Sequence, residues 1–595
     1  MQNKSMQNGF SRAICSAVVA AALVAGTLSA QQYTSSTIAG APQYLGYGGD
    51  GGPASNAQMS GPIAIAVDSK GNYYVADYGN NVIRKVYANG TIITFAGTGK
   101  FGYAGDGGPA TAAQLSTVHG LAVDAADNLY ISDTANGVIR RVDQKGIITT
   151  FAGTGVRGIS GNAGPASQAR FLAPAGIAFD PSGNLYVADA EASTVRQIRP
   201  NGNIYAFAGN ALNGFGPMLG EGGHAFNAIL SVPYAVTSDA AGNIYIGDLG
   251  ASAILKIGAD GLIHTILTGV AVGSLAADGA GNVFFANYHK NTIGRIGADG
   301  VYTTIAGDTN ASFSGDGGPA VFAEYNQPYG VATDGAGNVY VTEYGNEDVR
   351  LLTPIPAGGL FVANGASNLE ASGNAGMVVA PGMMVTLFGY GLGDAAKAQA
   401  SGGQLPLTLG NATVTVNGVQ VPIVATSASR VSVMVPAKLN PGLVTFAVSY
   451  QGSVVGSGSA GLFPAMPGIF TANSSGNAAL AIQNSDGSVN TAANAAAEGS
   501  NVNIFITGAG AYGSALADGQ IATTAQNVKA ALPSLAVLIN GENAAVTAVQ
   551  TVPGQPAGVL QVTATLPADV KTSTTVPVQV SVSGIASQSV TIAVQ

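Results

Sequence analysis

One phrase recurs six times in this chain, and any fold has to accommodate all six copies. The copies are "VDSKGNYYVAD" (67–77), "VDAADNLYISD" (123–133), "FDPSGNLYVAD" (179–189), "SDAAGNIYIGD" (238–248), "ADGAGNVFFAN" (277–287) and "TDGAGNVYVTE" (333–343). Their leading aspartates, Asp68, Asp124, Asp180, Asp239, Asp278 and Asp334, are spaced by 56, 56, 59, 39 and 56 residues. A repeat of this length is one supersecondary unit that buries its apolar surface only against its neighbours. The first copy contains four short apolar runs, "IAIAV", "NYYVA", "VIRKV" and "TIITFAG", with the turn sequences "DSKGN" and "YANGT" between them. Gly and Asn supply the positive φ angles that tight hairpins need. Four antiparallel strands in each of six repeats predict an all-β fold, a six-bladed β-propeller. No window carries the helical periodicity of an α-solenoid.

The fourth-strand signature is "TFAG" (94–97 and 150–153), "AFAG" (206–209), "TILTG" (265–269) and "TIAG" (304–307). It is absent after the sixth copy and present at the start of the mature chain, as "STIAG" (36–40). Strand 34–40 is therefore expected to complete the last blade and close the ring, which protects an otherwise open edge.

Residues 33–354, with "PYGVATDGAGNVYVTEYGN" as the clearest copy, resemble NHL repeats. The stretches "YGGDGGPASNAQM" (47–59), "YAGDGGPATAAQL" (103–115) and "FSGDGGPAVFAEY" (313–325) resemble the insertions of teneurin-type NHL propellers. Weaker echoes are "ISGNAGPASQARF" (159–171) and "LGEGGHAFNAIL" (219–230). Each lies between the fourth strand of one blade and the first of the next. Pro53, Pro109, Pro165 and Pro319 suit the first position of a short helix of about one and a half turns. The main expectation is five helical plugs around the loop-rich face, with an entrance to the channel at the gap between Thr268 and Ala276. Calcium at Asp50, Asp106 and Asp316 is a weaker reading, since one carboxylate per copy falls short of six oxygens. A phosphate loop needs a Gly-Lys-Ser/Thr ending that is missing.

The residue five before each leading Asp should line the channel mouth: Ile63, His119, Ala175, Tyr234, Gly273 and Tyr329. A ring with one His and two Tyr can bind a ligand or be ordinary rim packing. His119, His224 and His289 map to the loop-rich face, and three histidines can hold a catalytic zinc; the resemblance reaches propeller lyases of that type. They do not occupy equivalent positions, so no metal or other cofactor is assigned. The second-strand ends, Asp77, Asp133, Asp189, Asp248, Asn287 and Glu343, read as turn-holding scaffold. The third-strand arginines Arg84, Arg140, Arg196 and Arg350 should pair with neighbouring acids or backbone.

The N-terminus reads as a secretory signal peptide, residues 1–30. Lys4 and Arg12 precede the apolar run "AICSAVVAAALVAG", with small residues at the cleavage region. Cys15 within it is the only cysteine, so no disulfide is expected in the mature chain. Charged residues are only 9% and the net charge is −9, which excludes a nucleic-acid surface. No membrane span is expected after signal cleavage. Beyond the propeller (31–354) and a stretch holding a linker and the start of the next region (355–375), the pattern "PGMMVTLFGYGLG" followed by "ATVTVNGVQVPIV" recurs in altered form from residue 499. Two immunoglobulin-like β-sandwich modules are expected, at 376–465 and 466–595; they resemble IPT/TIG modules of secreted bacterial proteins.

The favoured function is exported, extracellular or periplasmic, non-catalytic binding of a protein or glycan at the cell surface. A lyase or lactonase at the channel mouth and a structural envelope role remain open.

Overall fold

The computed structural model describes residues 31–211, 218–365, 378–399, 403–440, 442–470, 482–511, 517–570 and 572–595. The expected signal peptide lies outside them. The structure is all-β, and its described residues form two compact units, Gln32–Ile355 and the remainder from Pro356 to Gln595.

In the first unit each repeat is one antiparallel sheet. The first comprises β2 (Pro62–Val67), β3 (Tyr73–Asp77), β4 (Val82–Val86) and β5 (Ile92–Ala96), hydrogen-bonded in that order. The β2–β3 hairpin owes its shape to the leading aspartate. Asp68 accepts hydrogen bonds from the Lys70 and Asn72 amides at 3.0 and 2.9 Å, the Asn72 side chain at 2.8 Å and the Tyr74 hydroxyl at 3.3 Å. The same set recurs around Asp180, Asp239 and Asp334. Seven residues thus carry a complete local instruction for a turn.

The six first strands pack on one another in a closed cycle, the sixth (Pro328–Thr333) returning to β2. Their approach is tight. A Cβ on Gly120 would stand 2.2 Å from the Ala175 carbonyl oxygen, and one on Gly330 would stand 2.8 Å from that of Ile63. Only glycine permits that proximity at these two positions.

The strand β1 (Tyr33–Ala39) lies in the sheet of the sixth repeat, antiparallel to Asp348–Pro354 and followed at the edge by Gly318–Pro319. Its Ser35 hydroxyl meets the buried Tyr325 hydroxyl at 2.7 Å.

The insertions differ from the expected plugs. Each holds one three-residue 3-10 turn rather than a longer helix, and Pro53, Pro109, Pro165 and Pro319 occupy its cap. The glycine-rich half descends the outer edge of the following sheet as a fifth rung. Gly51 N–H donates to Ile92 O at 2.8 Å and Ile92 N–H to Gly52 O at 3.1 Å; the same pair links Gly107 and Gly108 to Ile148. The insertions therefore cover outer strands that would otherwise expose an unpaired edge. The gap after Thr268 accordingly opens on the rim, not on the channel. It leaves the fifth outer strand, Tyr302–Ala306, with Val301 and Tyr302 exposed, and among the described residues no insertion pairs with it.

Calcium loses its ligands to a different task. Asp50, Asp106 and Asp316 pair with the fully buried Arg84, Arg140 and Arg350 at 2.8, 2.7 and 2.9 Å. The same arginines reach Asp77, Asp133 and Glu343 at 3.4, 3.3 and 3.5 Å. Insertion carbonyls complete the shell; Arg84, for example, donates to Gly48 O at 3.0 Å and Gln58 O at 3.1 Å.

The second unit contains three further sheets. One joins Phe361–Asn364, Met384–Phe388, Arg430–Met434 and Ile423–Thr426, so a buried strand begins within the stretch expected to hold a linker. A second is built on the long hairpin Gly442–Tyr450 and Ser453–Leu462. The third runs through Asn501–Thr507, Leu560–Thr565, Glu542–Thr551 and Ser573–Val582 over one apolar core that includes Val502, Ile504, Val562 and Val578.

A chain lacking residues 31–42 is expected to lose its cooperative thermal transition in circular dichroism, because the sixth sheet then has no fourth strand. An unchanged melt would contradict the role of that seam. Asp133→Ala is expected to destabilise by about 1–3 kcal/mol in denaturant unfolding, since it removes the buried acceptor of Arg140, the Ser116 amide and the Asn136 side chain while Arg140 keeps Asp106. Lys70→Ala, which removes an exposed pair with Asp127 at 3.3 Å, should cost under about 1 kcal/mol.

Candidate functional site

All six expected channel-mouth residues fall at the same irregularity. In every first strand the register with the second strand shifts near its start: between Pro62 and Ala64, Val118 and Gly120, Pro174 and Ile177, Pro233 and Ala235, Val272 and Leu275, and Pro328 and Val331. Ile63, His119, Ala175, Tyr234, Gly273 and Tyr329 each lie within one of these shifts. A bulge releases a residue from the ladder and re-aims its side chain.

Large and small side chains alternate around this ring. His119, Tyr234 and Tyr329 come from the second, fourth and sixth sheets, and they meet across the small residues between them. The His119 and Tyr234 ring centroids are 5.5 Å apart, and those of Tyr234 and Tyr329 are 6.0 Å apart at 77°. Both are within the range of favourable edge-on aromatic contacts. Ile63, Ala175 and Gly273 are buried and act as spacers rather than contact surface. Gly273 is held to glycine by Tyr329, whose carbonyl oxygen would lie 2.8 Å and ring Cδ1 3.0 Å from an added Cβ.

Two tyrosines absent from the sequence-based set extend the cluster. Tyr78 stacks on His119 at 5.6 Å and 12°, and Tyr288 stacks on Tyr329 at 5.5 Å and 29°. His289 touches the Tyr288 ring edge at 4.3 Å. Both tyrosines directly follow the residue ending a second strand, in "DYGN" and "NYHK". That shared position is the signal by which the sequence could have offered them.

The electrostatics of the cluster are neutral. Burial alone pushes His119 down to about 4, and its Nδ1 has no hydrogen-bond partner among the described residues. Burial also raises Tyr329 to about 12 and holds Tyr234 well above the ordinary tyrosine range. Tyr234, Tyr329 and the His119 imidazole are therefore uncharged at neutral pH, and no carboxylate perturbs His119. This arrangement offers apolar contact and neutral donors.

The histidines separate. His119 and His289 belong to the central cluster, with tyrosines between them. His224, expected on the loop-rich face, instead stands where other insertions carry proline, bridged to Leu262 at the outer edge of the fourth sheet. Descending insertions carry it there. Among the described residues no group of three or more His, Cys, Asp or Glu side chains gathers in a metal-binding arrangement. The second-strand acids do more than hold their own turns: Asp77 is fully buried, accepts from the Ser60 amide at 2.7 Å and pairs with Arg84. Its burial outweighs the arginine and pushes it up to about 6.

Exposed apolar side chains mark the first three insertions. Tyr44, Leu45, Tyr47, Phe101 and Val156 protrude from the first halves of the insertions. Those halves are fixed beside the loops that carry Tyr78 and its equivalents, through Asn80 to Gly46 O at 2.7 Å and Asn136 to Gly102 O at 2.8 Å.

The teneurin NHL domain model matches residues 100–160, and the NHL repeat model matches residues 171–198. Human (Homo sapiens) teneurin-1 is 28% identical over 224 residues, covering 34% of this chain and 8% of that protein. Teneurin-3 of Danio rerio is 30% identical over 227 residues with the same coverage of each. The chain thus spans about 8% of the length of these relatives. Among solved structures, a streptogramin B lyase aligns with a TM-score of 0.36 at 14% identity, over 54% of this chain and 98% of that one. An auxiliary nutrient binding protein from Bacteroides thetaiotaomicron aligns with a TM-score of 0.39 at 14% identity, over 55% and 77%.

Replacing His119 with Phe keeps the ring and removes the titration. The folded pKa of His119, about 4, lies below the unfolded value of about 6.5. Its neutral form therefore favours folding above pH 6.5, and that advantage is lost as pH falls toward 4. The difference in melting temperature between His119→Phe and the parent should be flat above pH 6.5 and move in favour of the variant on acidification. Its limit is ~3 kcal/mol; a pH-independent difference would contradict the assignment.

Proposed function

With an NHL-repeat β-propeller as the premise, we propose that this chain is an exported, non-catalytic binding protein whose loop-rich propeller face engages a protein partner. The propeller has six blades in this reading, and the second unit is a pair of immunoglobulin-like modules that serves as spacer or second contact. The observation that carries the reading is the aromatic cluster on the axis, Tyr78, His119, Tyr234, Tyr329 and Tyr288, together with the exposed apolar side chains of the first three insertions. Aromatic rings packed on one another at the channel mouth offer an apolar contact surface. Aromatic anchors of that kind, ringed by further apolar contacts, characterise protein-binding patches. An enzyme at the same mouth would need a polarised acid, base or nucleophile. The central histidine instead faces only aromatic neighbours in its ring contacts.

The full chain, immobilised, is expected to retain specific proteins from an envelope or culture extract. Tyr288→Ala and the double variant Leu45→Asp, Phe101→Asp should each weaken that retention at least tenfold while keeping the parental melt. Equal retention by both folded variants, or turnover on lactone and lyase substrate panels by the parent, would overturn the reading.

A further inference from the structure

The buried arginine clamp is built alike in the first, second and sixth repeats and differently in the third. In the first, Asp50 faces Arg84, the Tyr47 ring lies 5.4 Å from the guanidinium, and the Tyr47 hydroxyl bonds Thr94 at 2.8 Å. The second has the same parts in Asp106, Tyr103 and Thr150, with ring and guanidinium 5.2 Å apart. The sixth has Asp316 and Phe313, the ring at 5.1 Å.

At the matching positions the third repeat carries Asn162, Ile159 and Ala206. The carboxylate, the ring at that position and the hydroxyl are lost together, although the Phe171 ring lies 5.0 Å from the guanidinium on another side. Arg196 is nevertheless kept, and it is only 3% exposed. Among the described residues no carboxylate oxygen lies within 4.0 Å of it, whereas each of the other three arginines has two carboxylate partners. The fourth and fifth repeats lack this conflict, because Leu255 and Gly294 replace the arginine itself. Its remaining counter-charge is the buried Asp189, which acts on it from beyond ion-pair distance. A desolvated guanidinium short of one of its two acids is costly unless another anion completes the shell.

The missing atoms leave space. A cavity of about 190 Å³ is lined by Ile159, Asn162, Arg196 and Ala206, with Phe226 also in its wall. Arg196 Nε and Nη2 both donate to Asn162 Oδ1, at 3.1 and 2.9 Å, which turns the amide nitrogen away from the guanidinium. That Nδ2 donates no hydrogen bond among the described residues. Arg196 Nη1 makes one bond, to Arg170 O at 2.8 Å, where Nη1 of the other three arginines makes a second, to a carboxylate. Two donors thus remain for one acceptor pair. Asp189 also lines the cavity, but its oxygens accept from the Leu172 and Ala173 amides at 3.1 and 2.7 Å.

We propose that the third repeat binds a small aromatic carboxylate. Its carboxylate takes the place of the absent aspartate against Arg196 and Asn162, and its ring takes the place of the absent tyrosine between Ile159, Ala206 and Phe226. The volume is below the range of pockets for drug-sized ligands, so the ligand is a single-ring acid. This site stands on the outer edge of the third sheet and is independent of the aromatic cluster on the axis.

Calorimetric titration of the full chain with sodium benzoate is expected to give one site, with benzamide, the neutral isostere, binding at least tenfold more weakly. Asn162→Asp restores the acid found in the sister repeats, so it should raise the melting temperature and weaken benzoate at least tenfold. Ile159→Tyr should fill the ring space and weaken benzoate similarly without a charge change. Absence of benzoate binding, equal binding of benzamide, or unchanged affinity in folded Asn162→Asp would each overturn the proposal. Acetate binding as tightly as benzoate would overturn its aromatic part.

Discussion

A guanidinium cannot leave water unless the protein rebuilds its hydration shell from carbonyls and carboxylates. Three of the six sheets place a fully buried arginine on the third strand, and the surrounding architecture follows from supplying that shell. The second strand ends in a buried acid because one donor pair points there. In those three sheets the carbonyls and the aspartate of the insertion complete the other side. Arg84 alone draws on Gly48, Asp50, Gln58 and Asp77, four points spread over three segments. A glycine-rich stretch that resembles a ligand loop is thus the protein's own counter-ion, carried to the rim.

Legibility in the sequence followed distance along the chain. The turn phrase can be read because Asp68 and its partners lie within seven residues, so composition and spacing contain the whole hydrogen-bond set. The ring residues could be located by counting from that phrase, since the register shift sits at a fixed offset from it. The insertion resists the same reading. Its aspartates meet arginines 34 residues later, and nothing near Asp50 announces Arg84. The offset is nevertheless constant, at 34 for Asp50, Asp106 and Asn162 alike, and that regularity was available. The histidines show the opposite failure. Membership of one face was inferred from loop connectivity, but an insertion that descends the rim carries His224 away from the axis.

Repetition also explains how an axis can be filled without a core of its own. Six equivalent positions cannot all hold large side chains around a narrow channel, nor can six small ones fill it. Alternation of His, Tyr and Tyr with Ile, Ala and Gly solves the packing with three rings, and the bulge shared by all six strands aims them. The cost is a buried, unpartnered imidazole nitrogen at His119. Neighbouring blades are therefore chemically unequal even where their backbones repeat, and this is also how one arginine clamp among several comes to lack its acid.

The seam made by β1 has a mechanical consequence. The strand that enters the ring and the strand that leaves it are antiparallel neighbours, and the Ile355 amide donates to the Gln32 carbonyl at 2.9 Å. Tension applied through the two ends of the propeller is thus borne at adjacent points of one strand pair. It separates that pair rung by rung from Tyr33 and Pro354 toward Ala39, rather than shearing all rungs at once. The other five sheets lie outside the line of force. Under load the seam is therefore the first part of the ring to open.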